Sequence, residues 1–369
     1  MTRQRTNKKP RIAIIGGGFA GITFLTTLYN HARKQPPLQC TLYDPSPEFS
    51  FTPLLVGAAA GSRAITDACI PFKDLAKALG FTYTQARATR LDPNTNHVTV
   101  KHPTGTITKE QHDYFILTTG AETQFYQTPG AKQHTLSLRS AKDAKNIHQA
   151  LTHQKKAKQP GVIIIGAGPT GVELAGDISV FYQQNNLPTH ITLISHAPTI
   201  LPRFNQKIQQ STQKTLQKRN ITILTNTTVT KCKKSAVTIQ EGQKQEKTLT
   251  SPLLIWAGGC KPVTIPLRTQ NNVTERGRYI VTPTLQLKGH QNIFAFGDNA
   301  QIEGEQPLPL LAQVAEQEGT HAAKNILRLL NNKRPKPFTF HDKGRMVSLG
   351  PKKASITINT PAGTIHFNN

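Results

Sequence analysis

The stretch Arg11-Ile-Ala-Ile-Ile15-Gly16-Gly-Gly18-Phe-Ala-Gly21 places a run of aliphatic residues directly before a G-x-G-x-x-G turn. The same pattern returns as Gly161-Val-Ile-Ile-Ile165-Gly166-Ala-Gly168-Pro-Thr-Gly171. Apolar residues at helical spacing follow each copy, and a further predicted strand follows each helix, at 38–43 and 190–194. Each copy therefore lies in the strand–turn–helix–strand context that a dinucleotide-binding fingerprint requires.

The three glycines of each copy have separate physical tasks. The first permits the tight turn from strand to helix, and the second lets the backbone approach a pyrophosphate. The third allows the helix to pack closely on the strand, and the phosphates then lie at the positive helix end. Because the fingerprint occurs twice, the sequence predicts two bound dinucleotides. The glycines are Gly16, Gly18 and Gly21 in the first copy and Gly166, Gly168 and Gly171 in the second.

An acidic residue ends the second predicted strand of the first copy. Asp44 occupies the position where a carboxylate accepts hydrogen bonds from a ribose 2′-hydroxyl, which indicates an adenosine without a 2′-phosphate. The alternative is that Asp44 only stabilises the turn before Pro45.

Composition narrows the classes of protein to which the chain can belong. The chain has 369 residues, 45 Lys and Arg against 20 Asp and Glu, and hence a net charge of +25, which favours anionic partners such as phospholipid surfaces. No apolar run reaches the roughly 18 residues of a membrane-spanning helix. The four cysteines form no CxxC or CxxxxC pair, and no histidine motif for a metal occurs, so we expect neither a disulfide framework nor a metal site.

Once both fingerprints are recognised, the chain resembles the flavoproteins of the pyridine nucleotide–disulfide oxidoreductase superfamily. Residues 113–121 (DYFILTTGA) are similar to the family's strand that crosses between domains beside the flavin. Residues 292–298 (NIFAFGD) resemble the late strand whose Asp binds the flavin's ribityl chain. Disulfide reductases carry a dithiol near residues 48–61, but this segment contains no cysteine.

That segment instead resembles the Phe-x-Pro-Leu-Leu stretch of type II NADH:quinone oxidoreductases. The second fingerprint, 162–176, is similar to that family's, and 254–258 (LIWAG) resembles its nicotinamide-side strand. Residues 312–317 (AQVAEQ) contain its quinone-helix motif A-Q-x-A-x-Q, and a Lys-Gly pair follows at 343–344. The resemblance covers roughly residues 10 to 365.

The resemblance implies a set of site residues. For catalysis these are Glu173, Gln313, Gln317 and Lys343. For cofactor binding they are Gly16, Gly18, Phe19, Ala20, Gly21, Asp44, Thr52, Ala88, Gly120, Gly166, Gly168, Thr170, Gly171, Ser195, Asp298, Ala312 and Gln313.

Plainer roles stay open for the catalytic candidates. Glu173 is equally explained as an acid in the first turn of a helix, which the helix dipole favours. The two glutamines fit the solvent side of an ordinary amphipathic helix. Lys343 fits a surface lysine, or a cation that stabilises the reduced flavin.

The resemblance also implies the architecture. We expect an α/β protein with two Rossmann-like domains, the second inserted in the first. Residues 1–120 and 262–335 would bind FAD, 121–261 would bind NAD(P)H, and 336–369 would form a small strand-rich cap. Within the cap, residues 354–360 and 364–367 alternate apolar and polar positions and are predicted to pair.

The implied reaction carries a hydride from NADH, with NADPH as a second candidate, to the flavin and then two electrons to a quinone. No proton pumping is expected. We expect a cytoplasmic protein, peripheral on the inner face of the cell membrane and held there by its basic surface; a homodimer is compatible with the family. Two alternatives are a sulfide:quinone oxidoreductase-like flavoprotein, which needs cysteines near the flavin, and a basic flavoprotein that binds nucleic acid, for which no motif is present.

Ser195 is where the chain departs from the family, which mostly carries an acid there. Serine removes the repulsion of a 2′-phosphate and offers a hydroxyl donor, while His196 and Arg203 lie nearby in sequence. The alternative is that Ser195 accepts NADH with one hydrogen bond fewer, a loss of about 1 kcal/mol.

We therefore expect measurable NADPH oxidation beside NADH oxidation. Ser195→Glu should raise the NADH:NADPH ratio of kcat/KM, because the new carboxylate repels the 2′-phosphate; steady-state kinetics with both nucleotides measure the ratio. Rejection of NADPH by more than about a thousandfold, roughly 4 kcal/mol, in the unsubstituted protein would contradict this reading of Ser195.

Overall fold

The computed structural model describes residues 9–32, 38–188, 190–268, 273–274, 276–350, 353–360 and 363–368. The chain forms two compact units that alternate along the sequence. Unit 1 comprises Met1–Phe49, Ile70–Glu122 and Lys261–His341, and unit 2 comprises Ser50–Cys69, Thr123–Cys260 and Asp342–Asn369. No helix in the described ranges is long and apolar enough to cross a bilayer.

Helices and strands are numbered along the chain. The helices are α1 (Phe19–Ala32), α2 (Thr52–Ala60), α3 (Phe72–Leu79), α4 (Ala131–His134), α5 (Ala141–His153), α6 (Pro169–Gln184), α7 (Gln206–Lys218) and α8 (Ala312–Leu330), with short 3-10 helices at Ile65–Ala68 and Gln154–Lys156. The strands are β1 (Arg11–Ile15), β2 (Gln39–Asp44), β3 (Glu48–Ser50), β4 (Cys69–Pro71), β5 (Thr82–Gln85), β6 (Arg87–Asp92), β7 (His97–Lys101), β8 (Ile107–Gln111), β9 (Tyr114–Leu117), β10 (Ala121–Thr123), β11 (Val162–Ile165), β12 (Ile191–Ile194), β13 (Ile221–Leu224), β14 (Thr227–Lys233), β15 (Ala236–Glu241), β16 (Lys247–Thr250), β17 (Leu253–Trp256), β18 (Cys260–Pro262), β19 (Tyr279–Val281), β20 (Ile293–Ala295), β21 (Ala300–Ile302), β22 (Gly344–Ser348), β23 (Ala354–Thr360) and β24 (Gly363–Asn368).

Unit 1 is built on a parallel sheet in the order β20-β9-β1-β2-β5. The central strand β1 is almost completely buried, as expected for an aliphatic run covered on both faces. Helices α1 and α8 pack against each other beside the sheet. Their backbones approach so closely that a Cβ built on Gly319 would lie 2.6 Å from the carbonyl oxygen of Ala20. An antiparallel meander, β6-β7-β8, completes this unit.

Unit 2 repeats the parallel arrangement in the order β13-β12-β11-β17. Helix α6 follows β11, as α1 follows β1, and α2 and α5 contribute to the same apolar core. Helix α5 begins with a capping box in which Ser140 and Asp143 satisfy each other's backbone N–H groups. Two parallel sheets, each entered through a fingerprint strand, confirm the predicted α/β class.

The C-terminal strands form the antiparallel sheet β22-β23-β24 within unit 2. The predicted pairing of 354–360 with the last strand is confirmed. One face of the sheet is covered, with Val347 at 0% and Ser355 at 3% exposure. The register places Met346, Ile356 and Phe367 side by side on the opposite face, next to the pair Ile358 and Ile365.

Candidate functional site

The first fingerprint turn has the backbone shape that a pyrophosphate cradle needs. Gly16 has a φ of +108°, and a Cβ there would lie 2.3 Å from the carbonyl oxygen of Thr118. A Cβ on Gly21 would lie 2.1 Å from the carbonyl oxygen of Gly16, so helix α1 can start this close only with glycine at that position. A Cβ on Gly18, in contrast, would meet no atom within 4 Å. The second glycine therefore faces open space at the helix N-terminus, where phosphates bind.

The second fingerprint turn has the same construction in unit 2. Gly166 also has a φ of +108° and abuts the backbone at Ala257, while a Cβ on Gly171 would lie 1.9 Å from the carbonyl oxygen of Gly166. Gly168 again faces open space. Thr170 is the second residue of α6, which begins at Pro169. Both turns thus fit a dinucleotide's pyrophosphate.

Asp44 lies at the end of β2 and holds the first turn in shape. Its Oδ2 accepts a hydrogen bond from the N–H of Gly17 at 2.7 Å, and its Oδ1 accepts one from Ser46 at 2.8 Å. Burial raises the pKa of this carboxyl, and these two hydrogen bonds oppose the shift. The turn-stabilising role and a ribose-binding role are compatible, since each carboxylate oxygen has a second lone pair.

The other predicted residues at this end of unit 1 lie on neighbouring elements. Phe19 and Ala20 open α1, and the Phe19 ring meets the Phe49 ring edge-on at 5.3 Å between centroids. Ala88 lies buried in β6. Gly120 follows β9 with a φ of +65°, and its carbonyl oxygen accepts from the N–H of Val263 at 2.9 Å.

The turn that carries Asp298 is fixed by a residue that sequence reasoning missed. Glu318, on α8, is 4% exposed, and its Oε2 accepts the N–H of Gly297 at 2.6 Å. Burial raises the pKa of Glu318 to about 8, and the neighbouring charge of Asp298 adds to the increase. The sequence did hold a signal for this role: Glu318 is an acid on the apolar face of the helix that follows the Gly-Asp turn, and an acid there is rarely buried without a partner. The carboxyl therefore positions the Gly297–Asp298 peptide.

Helix α8 begins at Ala312, as the motif predicts, and carries both glutamines. The amide of Gln317 clamps the backbone of His341, because Nε2 donates to its carbonyl oxygen at 2.9 Å and Oε1 accepts its N–H at 3.0 Å. Gln317 is therefore not an ordinary solvent-facing side chain. Gln313 is partly buried one turn earlier. Lys343 is exposed and belongs to unit 2.

Glu173 lies in the second turn of α6, so the interpretation as a first-turn acid is wrong. The helix starts at Pro169, and the influence of the dipole fades beyond the first turn. Instead, Oε1 of Glu173 accepts the N–H of Ser348 at 3.1 Å. Burial raises the pKa of Glu173 to about 7; Asp177 adds to the rise, and the Ser348 hydrogen bond opposes it. At neutral pH this carboxyl can hold or release a proton.

Ser195 is buried, whereas Thr52 is exposed. Ser195 is 4% exposed, and its hydroxyl donates to the carbonyl oxygen of Thr199 at 3.1 Å. The expected hydroxyl donor is therefore already engaged, because the loop after β12 folds back over it, and Ser195 offers lone pairs instead. Thr52 is the first residue of α2 and is exposed.

The cysteines give no support for thiol chemistry. All four are free. Burial raises the pKa values of Cys40 and Cys232, which disfavours their reactive thiolate forms. Cys260 accepts a hydrogen bond from Arg139 at 3.1 Å, and Cys69 donates to the carbonyl oxygen of Ile65 at 3.2 Å. Within the described ranges, no group of three or more His, Cys, Asp or Glu side chains could hold a metal ion.

Two parallel sheets, each with a glycine turn that is open for a pyrophosphate, define an α/β protein of the two-dinucleotide class. The sequence profile of the pyridine nucleotide-disulphide oxidoreductase family matches residues 10–319. The chain belongs to this family.

Characterised relatives align over nearly the whole chain. It is 28% identical to the alternative NAD(P)H-ubiquinone oxidoreductase C1 of Arabidopsis thaliana, with 95% of this chain and 73% of that protein covered. It is 25% identical to the type II NADH:quinone oxidoreductase of Staphylococcus haemolyticus, with 93% and 88% covered.

Solved structures share the fold. NDH2 from Plasmodium falciparum in complex with NADH superposes with a TM-score of 0.87 at 21% identity, covering 97% of this chain and 92% of that one. The sulfide:quinone oxidoreductase of Aquifex aeolicus superposes with a TM-score of 0.82 at 21% identity, covering 98% and 87%. Because both redox classes superpose well, the fold alone does not distinguish them.

Glu318→Gln is expected to remove a pH dependence from the stability of the protein. The folded carboxyl keeps its proton up to about pH 8, whereas its ordinary pKa is 4.5. The folded state therefore binds more protons between these values, and rising pH lowers the free energy of unfolding. Urea unfolding at pH 5 and pH 8 measures this loss.

The substituted protein should lose less stability between the two pH values, because the glutamine keeps the acceptor for Gly297 without titrating. Glu316→Gln, at an exposed position of the same helix, is the matched control. Equal losses in the Glu318→Gln variant and the unsubstituted protein would contradict the assignment.

Proposed function

We propose that this protein is a type II NADH:quinone oxidoreductase that holds FAD as its resident cofactor. It catalyses NADH + H⁺ + quinone → NAD⁺ + quinol, without pumping protons. The observation that carries the proposal is the pair of open glycine turns on two parallel sheets, in a chain whose relatives are named for this reaction. The four cysteines form no disulfide and give no support for disulfide reductase or sulfide oxidation chemistry.

The two cradles are assigned to different dinucleotides. FAD is held by the first fingerprint, with Asp44 as the ribose acceptor and Asp298 toward the ribityl chain. NADH is held by the second fingerprint, where Ser195 stands in place of an acid. NADPH is a second substrate because no carboxylate at this position repels its 2′-phosphate; the Ser195 hydroxyl itself is bonded to Thr199. When bound, FAD supplies a carrier that accepts a hydride and passes on two electrons. In this assignment residues 1–120 and 262–335 form the FAD domain, 121–261 the inserted nicotinamide domain and 336–369 the cap.

The protein's own groups position the reactants and supply a proton. Glu173 holds the proton that the quinol needs, because its raised pKa leaves it partly protonated at neutral pH. Ala312 leaves room for a flat ring, and the amide of Gln313 hydrogen-bonds a carbonyl oxygen. Gln317 can add only the second amide N–H that its clamp on His341 does not use. In unit 1, Phe19, Ala20, Ala88 and Gly120 complete the flavin site. Thr52 and Lys343 keep the flavin-side roles that the family resemblance implies.

The partner surface is an anionic bilayer on the cytoplasmic side of the cell membrane, where a lipid-soluble quinone is dissolved. The uncovered face of the C-terminal sheet carries the side chains of Met346, Ile358, Ile365 and Phe367, which are 41–58% exposed. Residues 343–368 contain four Lys or Arg and no Asp or Glu. Exposed apolar side chains in a segment whose only charged residues are cations match a bilayer with acidic headgroups.

An anaerobic experiment tests the reaction. Adding NADH to the FAD-loaded protein should bleach the flavin absorbance near 450 nm, and a short-chain quinone should then restore it. The order of the two additions separates the half-reactions. Protein that binds no flavin, or bleached flavin that quinone leaves unchanged, would overturn the proposed function.

Vesicle sedimentation tests the membrane surface. The protein should bind vesicles with acidic phospholipids more tightly than neutral ones, and about 0.5 M salt should weaken this binding without abolishing it, because apolar contacts are not screened. Replacing both Ile365 and Phe367 with Ser should make binding fully salt-sensitive. The matched control is Ile107→Ser, at an exposed position of unit 1. Complete release of the unsubstituted protein by salt would assign binding to charge alone.

A further inference from the structure

Helix α6 carries a second buried acid that the proposed reaction has not used. Asp177 follows Glu173 by four residues, so the two side chains project from the same side of the helix one turn apart. Asp177 is 6% exposed, and its Oδ1 has no hydrogen-bond partner within the described part of the chain. A buried carboxyl with an unsatisfied oxygen is energetically unfavourable unless nearby charges or a proton compensate.

The backbone of residues 348–350 packs against α6 and covers both acids. Ser348 donates its N–H to Glu173, and Leu349 passes so close to the helix that a Cβ on Gly176 would lie 3.0 Å from its Cα. Gly350 then lies over Asp177, since a Cβ built there would be 3.6 Å from Asp177 Oδ1. The two carboxyl groups are therefore enclosed under one short stretch of backbone.

Two cations face Asp177. Arg219, at the end of α7, places its Nη1 3.5 Å from the same built Cβ of Gly350, and this nitrogen donates to the carbonyl oxygen of Gly176 at 3.1 Å. Arg63, in the loop after α2, adds a second positive charge. Burial raises the pKa of Asp177 to about 6, while both arginines oppose the rise. The corresponding value for Glu173 is about 7, and no arginine contributes to it.

We propose that Asp177 is the positioning residue for the catalytic proton: it carries the negative charge of the pair, so that the shared proton stays on Glu173. Arg219 and Arg63 make Asp177 the charged member, and the buried anion in turn disfavours a second negative charge on Glu173. This inference rests on the proposed function, in which each turnover takes one proton from solvent. Glu173 loses that proton to the quinol oxygen as its carboxylate forms, and it is reprotonated from solvent before the next turnover.

Opposite charge changes should move the pH profile in opposite directions. In Asp177→Asn the repulsion is gone, Glu173 releases its proton more readily, and the alkaline limb of quinone reduction shifts to lower pH. At pH 7.5 we expect a rate about 3- to 10-fold below that of the unsubstituted protein, recovering near pH 5.5. In Arg219→Met the Glu173–Asp177 pair loses a neighbouring cation and therefore keeps its proton to higher pH. The alkaline limb of quinone reduction then shifts to higher pH.

Conservative and remote variants separate positioning from structure. Arg219→Lys keeps the charge and should leave the limb in place. Glu241→Gln removes an exposed acid of unit 2, which pairs with Lys244 at 2.9 Å, and should change nothing. Rates that fall equally at every pH in Asp177→Asn, with no movement of the limb, would show a merely structural role and overturn the proposal.

A direct titration of Glu173 does not depend on turnover. Carbon-13 NMR of the FAD-loaded protein with labelled glutamate carboxyls, assigned by the signal lost in Glu173→Gln, should give a midpoint near 7 and a lower one in Asp177→Asn. An unshifted midpoint in Asp177→Asn would overturn the proposal. The protein could also show the expected midpoints and yet fail the anaerobic quinone test. That result would reject the proposed function but confirm that Asp177 raises the pKa of Glu173.

Discussion

The close approach of helix to strand at the third fingerprint glycine is the constraint on which each unit depends. At Gly21 and Gly171 a single methyl group would collide with the carbonyl oxygen of the first glycine. With the helices seated this deeply, the second glycines face open space at the positive helix ends. The same closeness recurs where each fingerprint helix meets its covering element, at Gly319 in unit 1 and at Gly176 in unit 2.

These backbone contacts also determine where the buried acids lie. Because α8 is close to α1, Glu318 reaches the N–H of Gly297, and because segment 348–350 is close to α6, Glu173 reaches the N–H of Ser348. In a chain with a net charge of +25, burial nevertheless raises the pKa values of four acids, Asp44, Glu173, Asp177 and Glu318, the last three to between about 6 and 8. Such groups exchange protons near neutral pH, which suits a reaction that consumes a proton with each pair of electrons.

Family resemblance and physical reasoning support different parts of the proposed function. The relatives connect the chain with quinone reduction, while related folds also include sulfide oxidation. Two of the four thiols argue against sulfur chemistry: Cys40 and Cys232 are buried, with pKa values raised by that burial. Nucleophilic sulfur chemistry needs an accessible thiolate, which these environments disfavour. The open face of the C-terminal sheet adds a physical reason for a membrane partner that charge alone did not give.

The sequence by itself determined the two parallel sheets and their fingerprint turns, because these depend on local patterns: aliphatic runs and glycine spacing. The resemblance motif at 312–317 indicated where α8 starts. The sequence also indicated the pairing of the last strands through alternation. Only the tertiary structure revealed the carboxyls of Glu318 and Asp177 as buried, the hydroxyl of Ser195 as engaged, and the amide of Gln317 as a clamp on His341. The buried carboxyls and the Gln317 clamp depend on partners distant in sequence, and the Ser195 bond depends on how the loop after β12 folds back. Neither burial nor such hydrogen bonds leave a periodic pattern in the chain.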